Sequence, residues 1–504
     1  MITFLLVAIC CSLLAAAVLV YKRKERTLRS LPPGPRGLPI FGHGLSIKPD
    51  KAYEVFTQWA KDYGEVCMVK IFSKNVIIIS RYEELVEMFQ SEDFSQHTSD
   101  RPESFLGYYV ASGYKDLLFR EYDDICKRLK SITFQAVHEF GEGSNNYERL
   151  ALKVIQDVAQ RIRLIEGRDF SIMDIINQSL YKLLAAVFVG ELIEDDDPLL
   201  SAIEQFDHYG DRIVLPSNHS VLKLFPVLRH LPGKYGKMYR DIMKGKDNLR
   251  TGLVERMKKS YDRNHVTCFV HAMFRAQEKE TWLTDDYILG VCMDLINTSL
   301  LTSKGILSGL LLLLLNYKEV QDKIREEISA TLGKEKDISM SDLASLPYTH
   351  ACILETLRYQ SHLPLTATHS NNHKDIEFHG YYIPKGTAMF GNLWAIHHDE
   401  RNWEAPWVFR PERFLQDNGS IVPVDHESRK RLVPFGVGSR ACIGQKMSYG
   451  RMLLYTANIL RKFQLVPAVN AALPSSDPRE FTAGTVLQAP TFFCRAIPLE
   501  NSNS

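Results

Sequence analysis

The sequence predicts a mainly α-helical protein with small β-sheets, built as one large domain behind an N-terminal apolar helix. Three observations lead there. Long stretches carry apolar residues at spacings of three and four, the period of a helix packed on one face. Strand-like runs are few and short. A charge-free run at the start is set off by a proline-rich elbow, and past it no linker, repeat or low-complexity tract divides the chain. Composition agrees: 504 residues, 45% hydrophobic and 24% charged, is globular material with ample stock for a core. Collagen-like, disordered and disulfide-scaffold classes are excluded. With 61 basic against 60 acidic side chains there is no global field to hold nucleic acid. Nine cysteines are too scattered for a disulfide framework, and their odd number leaves at least one for other chemistry.

The elements follow in order. Ile2 to Tyr21 carries no charge and is long enough to cross a bilayer as a helix. Lys22-Arg23-Lys24-Glu25-Arg26 comes directly after it, which keeps that flank and the rest of the chain on the cytoplasmic side. A cleaved signal peptide would carry its basic residues ahead of the apolar run. Residues 1–21 are therefore read as a membrane anchor, 22–43 as basic cluster and elbow, and 44–504 as the body. In the elbow, Leu31-Pro32-Pro33-Gly34-Pro35-Arg36-Gly37-Leu38-Pro39, fixed φ values and missing donors forbid a continuing helix. Helices are expected at Tyr53–Tyr63, Arg81–Phe89, Arg120–Val137, Asn146–Ile165, Ile172–Phe188, Lys234–Asn264 and Thr284–Asn316. Strands are expected at Glu65–Ile71, Val76–Ile79, Glu377–Ile383 and Ala388–Asn392. The Leu310–Leu315 block sits in a stretch interrupted by Asp294 and Lys304, which reads as a buried central helix and not a second membrane span.

One cysteine stands apart, in Phe435-Gly436-Val437-Gly438-Ser439-Arg440-Ala441-Cys442-Ile443-Gly444. Three glycines around one thiol demand a tight turn and close approach. Amides of such a loop can point at sulfur, stabilise a thiolate and moderate its donation to a metal. Arg440 supplies a fixed positive charge suited to a carboxylate. A helix starting after Gly444 would turn its positive end toward the thiolate.

This loop resembles the cysteine-ligand signature of the cytochrome P-450 superfamily, F-G-x-G-x-R-x-C-x-G, with Phe435, Gly436, Gly438, Arg440, Cys442 and Gly444 all in place. Glu355-Thr356-Leu357-Arg358 matches the family's E-x-x-R helix, and Phe409-Arg410-Pro411-Glu412-Arg413-Phe414 resembles the segment whose arginine joins that pair. The resemblance implies the cytochrome P-450 fold, haem b with Cys442 as axial thiolate, and a buried triad of Glu355, Arg358 and Arg413 that serves folding and haem retention. The anchor and elbow resemble microsomal members. Asn392 to Asp399, leading into Trp403 and Pro406, resembles the animal branch that includes steroid and xenobiotic hydroxylases. His397-His398-Asp399 reads there as a structural helix start, not a metal site. By position, His369 matches the propionate-binding residue. The usual W-x-x-x-R falls on Cys126 and Lys130, where lysine serves as a point charge and not a fork.

The central helix departs from the family. The pattern [A/G]-G-x-[D/E]-T falls on Thr298-Ser299-Leu300-Leu301-Thr302, so the acid is Leu301 while the alcohol survives as Thr302. Oxygen activation needs protons delivered on the face opposite the thiolate. Thr298, Ser299 and Thr302 are the candidate hydroxyl chain, with Asp294 about two turns away toward the surface. The resemblance then implies a monooxygenase inserting one oxygen atom from O2 into a hydrophobic small molecule (a sterol, fatty acid or xenobiotic), with NADPH used indirectly through a diflavin reductase and cytochrome b5 as a second candidate partner. Two alternatives stay open. One is isomerisation or dehydration of a lipid hydroperoxide or endoperoxide, which needs no O2 activation; the other is a catalytically weak haem-binding sensor. Candidate pocket residues are Phe105, Leu106, Tyr108, Tyr109 and Val110 in a roof loop, Leu301, Leu363 and Leu365, and Val486 and Leu487. Arg128, Lys130, Arg429, Lys430, Arg431 and Lys446 form a basic cluster suited to an acidic redox partner. The expected address is the endoplasmic reticulum membrane, body on the cytoplasmic side.

Overall fold

The computed structural model describes residues 31–141, 145–333 and 336–499. The expected anchor and basic cluster, residues 1–30, lie outside them. The described chain forms two compact units interleaved in sequence: residues up to Pro102 with Leu365–Ile396 and Val437–Arg440, and Glu103–Pro364 with His397–Gly436 and Ala441 onward.

The first unit holds the sheets. Strands β1 (Val66–Ile71) and β2 (Lys74–Ile79) pair antiparallel, with Val66 opposite Ile79. Later strands are β3 (His369–Ser370), the hairpin β4 (Ile376–Phe378) and β5 (Tyr381–Ile383), and β6 (Ala388–Gly391). The main sheet runs β1-β2-β6-β3, with β6 parallel to β2 and antiparallel to β3. Val76–Ile79 form a short apolar run buried to the last residue, as a central strand requires. The strand expected over Glu377–Ile383 is a hairpin, because His379 and Gly380 both take positive φ and reverse the chain. The elbow carries no helix; its Pro33 carbonyl accepts from the Met68 N–H of β1. Helix Ala52–Tyr63 lays Phe56 against Val69, Ile78 and Ile47.

The second unit is helical. Its axis is the helix Asp285–Asn316, packed against helices Ile172–Val189, Pro198–Ile213, Pro347–Gln360 and Gln445–Lys462. Most of its side chains are buried, including all of Leu310–Leu315, so the leucine block is core. Helix Asp124–Phe140 starts four residues later than its periodicity suggests, because the Asp123 carboxylate caps it by accepting from the Cys126 N–H at 2.7 Å. The Lys234–Asn264 stretch stops at Lys259 and contains a π-helical segment, Arg250–Glu255. Strands β7 (Phe463–Pro467) and β8 (Cys494–Pro498) close the C-terminal hairpin.

Candidate active site

In the second unit the thiol comes first. Cys442 donates its N–H to the Phe435 carbonyl at 2.9 Å, closing the loop. The Gly444 N–H donates to Sγ at 3.3 Å, and helix Gln445–Lys462 starts immediately beyond. Gly436 and Gly438 both have φ near +70°, and a Cβ on Gly438 would lie 1.8 Å from the Phe89 carbonyl oxygen, so two of the three glycines are dictated by backbone geometry. Crowding by protein pushes the Cys442 thiol upward, while the Gly444 amide and the Lys130 ammonium pull it back. Yet among the described cysteines Cys442 is the one with exposed surface; Cys67, Cys126, Cys268, Cys292, Cys352 and Cys494 are buried. A thiol crowded by protein but still accessible, with an amide on its sulfur and a cation nearby, is the donor set of a thiolate metal ligand. The axial-ligand residue for haem therefore fits, and the Lys130 charge acts on that thiol.

Behind the loop, Glu355 is fully buried and accepts from Arg358 Nε and Nη2, both at 2.8 Å, and from Arg413 Nε at 3.1 Å. The Arg410 N–H adds a fourth bond at 3.0 Å. Arg358 also donates to the carbonyls of His397 and Pro406 at 2.9 Å each. These bonds join the E-x-x-R helix to the segment that carries Arg413. His397 is part of this scaffold: its Nδ1 bonds Ser361 Oγ at 3.0 Å and its Nε2 accepts from the Val433 N–H at 3.1 Å. Among the described residues no group of three acidic, histidine or cysteine side chains is placed to hold a metal ion.

The central helix carries an accessible stripe in its otherwise buried middle, through Asp294, Thr298 and Thr302. These residues are four apart and share one face. Thr298 Oγ1 donates to the Asp294 carbonyl, and Thr302 Oγ1 to the Thr298 carbonyl, each at 2.7 Å, which leaves the hydroxyl oxygens as acceptors. Ser299 is directed elsewhere. Its hydroxyl accepts from Arg451 Nη1 at 2.6 Å, and Ser303 accepts from the same nitrogen at 2.8 Å. Of the expected hydroxyl chain, Thr298 and Thr302 are together and Ser299 is turned to the buried Arg451. Leu301 is buried on the same helix. Val486 and Leu487 pack against that helix at Gly305, where a Cβ would meet the Val486 side chain at 3.5 Å and the Leu487 carbonyl at 3.4 Å. Phe105 and Leu106 are buried in the roof loop, Phe105 with its ring 4.9 Å from Tyr109 and 5.9 Å from Tyr239.

In the first unit, His369 donates from Nδ1 to the Thr98 carbonyl at 2.9 Å and stacks on Phe89 at 4.0 Å. Burial, with Arg101 and Arg440 nearby, holds its imidazole well below the usual range. Arg440 Nε donates to the Ser99 carbonyl at 2.7 Å, and Arg101 Nη1 to that of Thr368 at 2.8 Å. Arg101 and Arg440 supply the positive charge there, suited to carboxylates such as haem propionates, beside a neutral His369. Arg101 was invisible to sequence reasoning because it belongs to no spaced motif; only the fold brings it to residues more than 260 positions away. Leu365 is turned into the sheet's core cluster with Ile47, Phe56 and Val76, so packing accounts for it here.

The sequence profile of the cytochrome P-450 family matches residues 32–494 as one domain. The chain belongs to that family. Cytochrome P-450 1A5 of Gallus gallus is 28% identical over 474 residues, 90% of this chain and 87% of that protein. Cytochrome P-450 2J5 of Mus musculus is 26% identical over 487 residues, 94% and 93% of the two chains. The steroid 17-alpha-hydroxylase/17,20 lyase of Squalus acanthias is 26% identical over 461 residues, 89% and 88%. This cytochrome P-450 is thus a haem-thiolate oxidoreductase of the monooxygenase type, allied to the animal microsomal branch.

Proposed function

We propose that the protein inserts one oxygen atom from O2 into a lipophilic small molecule, a sterol, fatty acid or xenobiotic, with electrons drawn from NADPH through a diflavin reductase. The observation that carries this reading is the pair of hydroxyls, Thr298 and Thr302, on the accessible stripe of the central helix, in the unit that also holds the accessible Cys442 thiol. Haem bound through Cys442 supplies the redox chemistry and the electron push of a thiolate. In the second unit Cys442, with the Gly444 amide on its sulfur, would hold the iron, and Lys130 would take a propionate; in the first unit Arg440 and Arg101, beside His369, carry charge suited to carboxylates. Phe435, Gly436 and Gly438 shape the loop. Thr302 and Thr298 position water through the acceptor capacity that both oxygens keep, and each passes a proton when its hydroxyl hydrogen turns from the carbonyl to the acceptor while the oxygen takes a proton from water. Phe105, Leu106, Leu301, Val486 and Leu487 offer apolar side chains to a hydrophobic substrate.

Arg128, Lys130, Arg429, Lys430, Arg431 and Lys446 support docking of an acidic reductase. The charge-free N-terminal run supports anchoring in the endoplasmic reticulum membrane. Leu301 keeps one second reading in play, rearrangement of a lipid hydroperoxide, which requires no acid at that position. The test is a Cys442→Ala variant beside wild type. Wild type should bind haem with a thiolate spectrum and oxidise NADPH when coupled to reductase, and the variant should lose both. A thiolate spectrum surviving in Cys442→Ala would sink the ligand assignment. Brisk turnover of a lipid hydroperoxide without NADPH use would favour the second reading.

A further inference from the structure

The central helix lacks the acid that its family motif places beside Thr302, yet it carries another on the same face. Asp294 lies one turn before Thr298 and two before Thr302. Its Oδ2 accepts from the Leu117 and Leu118 N–H groups at 2.8 and 2.9 Å, and the residue as a whole is partly exposed. The roof loop, continuing through Leu118, reaches it because Gly290 has no side chain: a Cβ there would stand 1.8 Å from the Lys115 carbonyl oxygen and 3.4 Å from the Asp116 Cα. That contact brings in a second carboxyl, Asp116, which is fully buried and accepts from the Phe119 N–H at 2.5 Å.

The cations of this neighbourhood are engaged by other acids. Lys115 and Arg250 both pair with Asp286, at 2.8 and 2.6 Å, and Arg120 pairs with Asp123. Lys304 pairs with Asp207. On its own helix the buried Cys292 thiol feels the charge of Asp294. A crowded carboxyl beside a fully buried one cannot ionise cheaply together with it, so the pair holds its last proton more tightly than a free carboxyl does. Burial first, and the charge of Asp116 second, push Asp294 well above the ordinary carboxylate range against the pull of the two amides.

We propose that Asp294, clamped by the roof-loop amides beside Asp116, is the proton store that replaces the acid missing at Leu301 and feeds Thr298 and Thr302 through water. The idea rests on the monooxygenase reading above. The step balances simply: Asp294 releases its carboxyl proton to the water and hydroxyl chain, becomes a carboxylate, and recovers a proton from solvent before the next delivery. No electron moves at Asp294. It acts through the threonines and so is a positioning and proton-supplying residue.

The test uses holoenzyme with reductase and NADPH, without added substrate, comparing wild type with Asp294→Asn, Asp294→Glu and Asp116→Asn. Asparagine keeps an oxygen for the two amides but carries no acidic proton. Infrared spectra of wild type at pH 7 should show a neutral carboxylic acid that Asp294→Asn removes, and Asp116→Asn should move its titration to lower pH. In the same samples Asp294→Asn should shift dioxygen reduction from water toward hydrogen peroxide, on the order of 100-fold in their ratio, with Asp294→Glu restoring part of it. A missing neutral-acid band, or an unchanged split between water and peroxide, overturns the proposal. A wild type that oxidises no NADPH overturns the monooxygenase reading and the relay with it, while the infrared band still reports whether the two carboxyls share a proton.

Discussion

Glu355→Ala is the perturbation whose size the structure sets most directly. The carboxylate sits at zero exposure and takes four hydrogen bonds, two from Arg358, one from Arg413 and one from the Arg410 backbone. Removing it leaves the Arg358 guanidinium, itself fully buried, with only the His397 and Pro406 carbonyls. Stranding a buried charge in this way costs about 3–5 kcal/mol. Typical domains hold 5–15 kcal/mol in total, so the loss is on the order of a third of the stability. Arg413 would also loosen, and with it the loop it ties through the carbonyls of Ala405 at 2.6 Å and Val408 at 3.1 Å. Urea unfolding followed by tryptophan fluorescence measures the first effect. The fraction of folded protein with a thiolate haem spectrum measures the second. Changing Glu355 and Arg358 together to leucine should recover part of the loss, because no unpaired charge then remains. A Glu355→Ala protein within about 1 kcal/mol of wild type, the range of exposed ion pairs, would refute the argument that these charges are desolvated and interdependent.

Other expectations concern the central helix and the buried histidines. Ser299→Ala should leave oxygen chemistry intact and cost about 1–3 kcal/mol of stability, because its hydroxyl serves Arg451; a large loss of turnover with unchanged stability would return Ser299 to the proton path. Leu301→Glu should raise NADPH-dependent turnover by placing an acid beside Thr302, read as product per NADPH against wild type, and no gain would count against a compromised relay. His350 and His362 are both pushed down to about 4, chiefly by burial. Their folded values lie below the unfolded value near 6.5, so the stability they contribute is complete above about pH 6.5 and is lost as pH falls toward 4. His362→Asn should flatten urea stability across that window by up to about 1.4 kcal/mol per pH unit, and an unchanged slope would show that His362 protonates freely in the folded protein.

Much of the molecule was written in local pattern. The Phe435–Gly444 loop, the E-x-x-R pair and the helical periods needed only neighbours in sequence, because tight turns, i,i+3 pairs and amphipathic faces are short-range devices. Helix ends drifted where a single cap decided them, as Asp123 does for Asp124–Phe140. The hairpin at His379–Gly380 looks like one strand in the sequence because two positive φ values leave little trace in composition.

What a side chain does with its polar end was not written there. Thr298, Ser299 and Thr302 look alike as letters, yet a helix advances about 100° per residue, so Ser299 meets Arg451 from helix Gln445–Lys462 while the threonines share the face of Asp294. Arg101 joins His369 and Arg440, and Asp116 joins Asp294, only after chain closure over very different distances. Sequence by itself singled out Cys442 as the candidate ligand, spaced Glu355 and Arg358 as a pair and set the helical class. Tertiary structure alone decided which polar groups face one another, because desolvation and charge coupling depend on distance in space and not along the chain.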